Sequence, residues 1–262
     1  MRMSSLVRKV VFWVFVSGVA FFLVAPTLIA VPISFTTTAG IQFPPEGFTL
    51  KWYGAVFASR DWREAMLNSL IIAIATSALS LVLGTAAALV LSRAKFRGKT
   101  ILLGLLLSPL VTPVIVLSVA MYMVFARWGL SGSFAGLIAA HTVLALPFVI
   151  VSVLASLKTL NANLELASAG LGATPWFTFR RVTLPLILPG VVSGGIFAFI
   201  TSWDEVVIAI FLADVSTRTV PVMIWTQLRA MLDPATAAVG AILIAISAVG
   251  MLITYKLRPL NS

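Results

Sequence analysis

Six stretches of this chain, near residues 10–33, 65–91, 101–126, 134–157, 186–212 and 235–257, stay apolar long enough to cross a bilayer, which takes about 20 residues as a helix. That repetition constrains the fold more than any motif does. Lipid offers backbone amides no hydrogen-bond partner, so each stretch must satisfy its own amides within a helix. The composition agrees, with 60% of the 262 residues hydrophobic and 10% charged, against about 25% charged in soluble domains. The reading is an all-α integral membrane protein with six transmembrane helices in one domain, 1–262. The basic lead MRMSSLVRK and the run Val10–Ile33 are too long for a signal-peptide core and lack a small-x-small cleavage site. They are expected to form an uncleaved first span.

The charges orient the spans. With the N-terminus in the cytoplasm, Arg2, Arg8, Lys9, Arg93, Lys95, Arg97, Lys99, Lys158, Arg180, Arg181, Lys256 and Arg258 lie inside, twelve of the 18 basic residues. Lys51, Arg60, Arg63, Arg127, Arg218 and Arg229 lie outside. The positive-inside bias therefore puts both termini in the cytoplasm. It also accounts for the net charge of +10 without invoking nucleic acid. Glu165 alone among the eight acids falls on the inner side. In the first outer loop, LKWYGAVFASRDW reads as a short interfacial helix, serving as a membrane anchor or a partner contact. Pro109 and Pro113 in SPLVTPVIV are expected to kink span 3.

Several chemistries are excluded. The chain has no cysteine and one histidine, His141, so it lacks a thiolate metal site and a histidine cluster. His141 reads as a hydrogen-bonded packing residue. No GxxxxGK[ST] phosphate loop occurs. No catalytic set, metal or cofactor is expected in this chain.

Residues 158–185 are not a featureless loop. Asn161 or Asn163 can cap a short helix LELASAGL, and Gly170 and Gly172 are candidate stops. Thr174 can cap a second helix, with Pro175 in its first position, where a missing N–H costs little. Two short helices meeting at a glycine bend are expected, packed under the bundle or against another protein.

The sequence LASAGLGA followed by RVTLPLILPG resembles the conserved cytoplasmic loop of ABC-importer permeases, Glu-Ala-Ala, three residues, Gly, then a hydrophobic residue and Leu-Pro. Gly172 aligns with the family glycine, Ala167 with the first alanine and Leu184-Pro185 with the Leu-Pro. Leu166 stands where the family has glutamate, Glu165 sits one residue earlier, and Ser168 replaces the second alanine. The resemblance continues through ITSWDEVVIAIFL, TRTVPVMIW and FPPEGFTLKWY and is to the spermidine/putrescine-type branch, its second permease subunit. It implies a type I ABC-importer permease fold in a bacterial inner membrane. The implied partners are an ATPase dimer holding ATP and Mg²⁺, a homologous second permease and an extracytoplasmic binding protein. It also implies that the 158–185 insert couples to the ATPase, with Glu165, Leu166, Ala167, Gly172, Pro175 and Arg181 as contact candidates, and that the cargo is a polyamine.

Span 5 carries FAFITSWDEVVIAIFLAD. A charge at the bilayer centre costs at least about 2.5–3.5 kcal/mol on insertion scales, so such residues face protein or a watery path. Asp204 and Glu205 are therefore candidates for the path of a cationic substrate, with Trp203 offering a π-face to an ammonium. The bland reading pairs the two acids with a basic group or hydrates them at the interface. The rival class is an ion-coupled secondary transporter working on Asp204 and Glu205.

Overall fold

In the computed structural model, residues 5–40, 42–230 and 233–257 are described. They are largely helical, with no strand among them. In order, the helices are α1 (Ser5–Ile33), α2 (Lys51–Ala58), α3 (Arg60–Arg93), α4 (Lys99–Leu107), α5 (Val114–Arg127), α6 (Phe134–Thr159), α7 (Ala162–Gly170), α8 (Pro175–Thr178), α9 (Leu184–Trp203), α10 (Val207–Leu212), α11 (Val220–Ala230) and α12 (Pro234–Leu257). Four described segments are long and apolar enough to span a membrane: Arg8–Ile33, Arg60–Arg93, Phe134–Thr159 and Pro175–Trp203. A bent pair, Lys99–Leu110 with Val114–Arg127, passes the same test jointly.

The chain divides into two compact units, Met1–Arg63 with Thr226–Val249, and Glu64–Trp225 with Gly250–Ser262. In the first, α1 buries almost none of its apolar surface within the chain: Phe12, Trp13, Phe15, Phe21 and Phe22 are all exposed. The loop after it folds back on α2, the expected interfacial helix. Trp52 Nε1 donates to the Thr36 carbonyl at 2.7 Å, and Tyr53 and Ser34 share a hydroxyl–hydroxyl bond of 2.7 Å.

The second unit is built on α3, α6 and α9. Helices in lipid gain little from apolar burial, so they associate by close packing of small residues. A Cβ on Gly194 would sit 3.0 Å from the Val149 Cα, one on Gly190 2.6 Å from the Ser152 carbonyl oxygen, and one on Gly84 2.7 Å from the Val149 Cγ1. Ser77 Oγ donates to the Gly195 carbonyl at 2.8 Å. Val149, Val153, Ile187, Ala88 and Ala198 fill one core cluster. Ile72, Leu137, Ile208 and Leu212 fill a second.

Two expected spans differ from the structure. Span 3, expected as one kinked crossing over 101–126, is broken: α4 and a 3₁₀ turn (Ser108–Leu110) meet α5 at 101°. Pro113 sits at the N-cap of α5. There its ring clashes with no preceding helical turn and its absent N–H is not missed. At 14 residues, α5 is about 21 Å long, short of the hydrocarbon core of about 30 Å.

Span 5, expected over 186–212, ends at Trp203. At its other end it extends further than expected. α8 runs without interruption through a π-turn, Phe179–Thr183, into α9, so the insert's second helix is not separate from the span. Pro185 explains the wide turn. It cannot donate to a carbonyl one turn back and its ring crowds that carbonyl. The i→i−5 bond from Leu184 N to the Phe179 oxygen relieves the conflict.

Candidate functional site

The insert is ordered by its caps. Asn161 accepts from Asn163 N at 3.0 Å to open α7. Gly172, at φ +82°, closes it: its N–H reaches the Ala169 carbonyl and the next N–H, Ala173, the Ser168 carbonyl. That is the paired-bond helix stop in which glycine takes the left-handed position. Gly172, not Gly170, is the turning residue, and Gly170 is the last residue of α7. Thr174 accepts from Phe177 N at 3.3 Å, with Pro175 at the first helical position. Ser168 and Thr178 share a hydroxyl bond of 2.8 Å, tying α7 to α8.

This frame sorts the candidate residues by face. Leu166 is 69% exposed, Leu171 90% and Trp176 68%; Ala167, Gly172, Pro175 and Arg181 are also exposed. A shallow groove lined by Ser168, Leu171, Gly172, Ala173, Thr174 and Phe177 runs along the bend. Glu165, one residue and about 100° of helix rotation from Leu166, points the other way. Its carboxylate pairs with Arg93 in the last turn of α3 and accepts from the hydroxyl of Thr183, which is fully buried.

The second cluster lies where α9 stops. Trp203 is buried and stacked on Phe199, with ring centroids 5.6 Å apart. Asp204 follows outside the helix and is exposed; Glu205, two residues beyond the end of α9, is 8% exposed. The Glu205 oxygens accept from Ile208 N at 2.9 Å and Ala209 N at 3.0 Å, capping the N-terminus of α10, where aligned N–H groups favour negative charge. His141, on α6, lies beside it. Its Nδ1 shares a 2.9 Å bond with Ser202 Oγ, and its Nε2 is 3.6 Å from Glu205 Oε2. The two acids therefore do not occupy successive positions of one helix, as expected, but a break of Asp204–Val206 between two helices. His141 is a packing residue in a polar contact, as expected.

The sequence reading missed Arg93 and Thr183 as partners of Glu165, and Ser202 as the partner of His141. In the sequence Arg93 is one charge among those that orient the spans. Among the described residues no group of three metal-ligating side chains comes together.

The structure defines a polytopic helical membrane chain with an ordered helical insert between two of its long helices. The match with known proteins makes this specific. Residues 80–260 match the family of binding-protein-dependent transport system inner membrane components, and the chain belongs to it. It is 30% identical to the Spermidine/putrescine transport system permease protein PotC of Escherichia coli (strain K12), over 90% of this chain and 89% of that one. It is 30% identical to the Putrescine transport system permease protein PotI of the same strain, over 89% and 86%. The fold matches a chain from the crystal structure of a bacterial ABC transporter that imports the acidic polysaccharide alginate, with TM-score 0.73, 17% identity, and 98% and 97% of the two chains covered. The protein is a multi-pass permease subunit of an ATP-driven importer in a bacterial inner membrane, with no ATPase site of its own. The secondary-transporter reading of Asp204 and Glu205 is set aside.

Proposed function

We propose that this chain forms half of the translocation path for a small cationic substrate, a polyamine such as spermidine or putrescine. The observation that carries the substrate class is the identity with two polyamine permeases over nearly the whole chain. Exposed Asp204 supports it: a carboxylate at a helix break is open to an ammonium. In this reading Asp204 lines the path. Glu205, spent on the cap of α10, and buried Trp203 shape the break behind it.

The complex has six spans in this subunit with both termini cytoplasmic, a second homologous permease, an ATPase dimer that holds ATP and Mg²⁺, and an extracytoplasmic binding protein. The insert docks on the ATPase through Leu166, Ala167, Gly172, Pro175 and Arg181. What supports this is the exposure of Leu166, Leu171, Trp176 and Phe177 on one small frame, too large an apolar display for a solvated loop. The test is uptake of radiolabelled spermidine and putrescine by proteoliposomes carrying the assembled complex and its binding protein. ATP-dependent uptake of either supports the reading. ATP-dependent uptake of neither, with a complex that still hydrolyses ATP, rejects the substrate class.

A further inference from the structure

Glu165 faces away from the exposed surface of the insert, and the residue it meets comes from 72 positions earlier in the chain. Among the described residues, its pair with Arg93 is the one polar tie from α7 to α3. The same carboxylate also takes the hydroxyl of Thr183, in the π-turn that leads into α9. A single side chain thus joins the insert to two helices. Both are packed closely against α6 through Gly84, Gly190 and Gly194. Among the described residues, the other polar tie of α7 is the Ser168–Thr178 bond, and its chain connections run through the bends at Leu160 and Gly172. Without the Glu165 joint, a force applied to the exposed face would be absorbed at those two bends.

We propose that Arg93, with Thr183, is a positioning residue for energy coupling: it holds Glu165 inward and so bolts the insert to the α3–α6–α9 body. This rests on the reading of the insert as the ATPase contact and adds a residue outside that contact. Glu165 then acts behind the docking face and touches no ATPase. Leu166 can occupy the outward position because the carboxylate is needed one residue earlier.

The experiment uses the whole importer in proteoliposomes and reads two quantities, radiolabelled spermidine moved and ATP hydrolysed. Arg93→Ala and Glu165→Ala are each expected to lower spermidine moved per ATP about fivefold, the size of a partly exposed ion pair with an added hydrogen bond. Hydrolysis should stay near that of the parent. The exchange Arg93→Glu with Glu165→Arg restores the pair with its charges reversed and should recover most of the ratio. Should Arg93→Ala fail to assemble, Thr183→Val, which removes one hydroxyl, is read on the same ratio and should lower it less.

The proposal is overturned if Arg93→Ala keeps the parental ratio, if the exchange is as poor as the single changes, or if Glu165→Ala uncouples while Arg93→Ala is silent. That last result would put Glu165 on the ATPase. The underlying reading is checked separately: the chain has no cysteine, so Leu171→Cys with a thiol-to-amine crosslinker should join this subunit to the ATPase. No crosslink means the docking reading fails; a crosslink with a failed exchange means only the Arg93 bolt fails.

Discussion

Glu165 and Glu205 are both carboxylates turned inward at helix starts, and they are held in opposite ways. Glu165 lies in the first turn of α7 and is paired with a full cation, Arg93, with a quarter of its side chain still open. Glu205 precedes α10 and, among the described residues, pairs with no Lys or Arg; two backbone N–H groups and the flank of His141 surround it. A partner that is a side chain can be exchanged for another charge. A partner that is the backbone cannot. The Arg93 joint is therefore adjustable by evolution or design, while the Glu205 joint is fixed by the chain path itself.

The sharpest way to break this contrast is at Glu205. Glu205→Leu leaves two amides at the head of α10 unpaired in an apolar setting, at about 1–3 kcal/mol for each buried group left without a bond. Most assembled complex should be lost, seen as a collapse of the monodisperse peak in detergent. Glu205→Gln keeps an acceptor oxygen and should retain most of it. If Leu and Gln behave alike, the capping role is wrong.

Next in size is Asp204→Asn, which removes charge from an exposed position and leaves every described cap intact. Spermidine uptake should fall about tenfold, the worth of one ammonium–carboxylate contact of roughly 1.4 kcal/mol. Assembly and melting temperature should not change. Uptake at the parental rate would remove Asp204 from the path.

His141→Leu should fall below these. It breaks the bond to Ser202 and leaves that hydroxyl buried, a loss of about 1–2 kcal/mol read as a lower melting temperature of the complex. Because Glu205 keeps both backbone bonds, the break between α9 and α10 should survive and uptake per assembled complex should hold.

How much of this was legible follows from the distance over which each feature is decided. Asn161, Gly172, Thr174 and Pro175 could be read because a cap is settled within four residues. The spans could be read because lipid permits so few structures. The break after Trp203 could not, since ITSWDEVVIAIFL has an unbroken apolar run on either side and the interruption is held by Glu205 turning back to cap α10, a contact that an apolar run does not announce. The turn at Pro109 and Pro113 was read as a kink because proline is tolerated inside spans; its full angle depends on packing. The π-turn left no mark in FRRVT beyond the Pro185 that follows. Arg93 was invisible as a partner because one sequence does not say which charges meet.

The smallest expected effect tests the register itself. Leu166→Glu restores the glutamate of the family pattern on a side chain that is already exposed, so stability should change by less than about 0.5 kcal/mol. The informative variant is Leu166→Glu combined with Glu165→Ala. One residue turns a helix by about 100°, so a carboxylate at 166 points to the docking side and cannot reach Arg93 or Thr183. The double change should remain as uncoupled as Glu165→Ala alone. Recovery of spermidine moved per ATP would mean that the two positions are interchangeable, and that the acid of the insert works on the ATPase side after all.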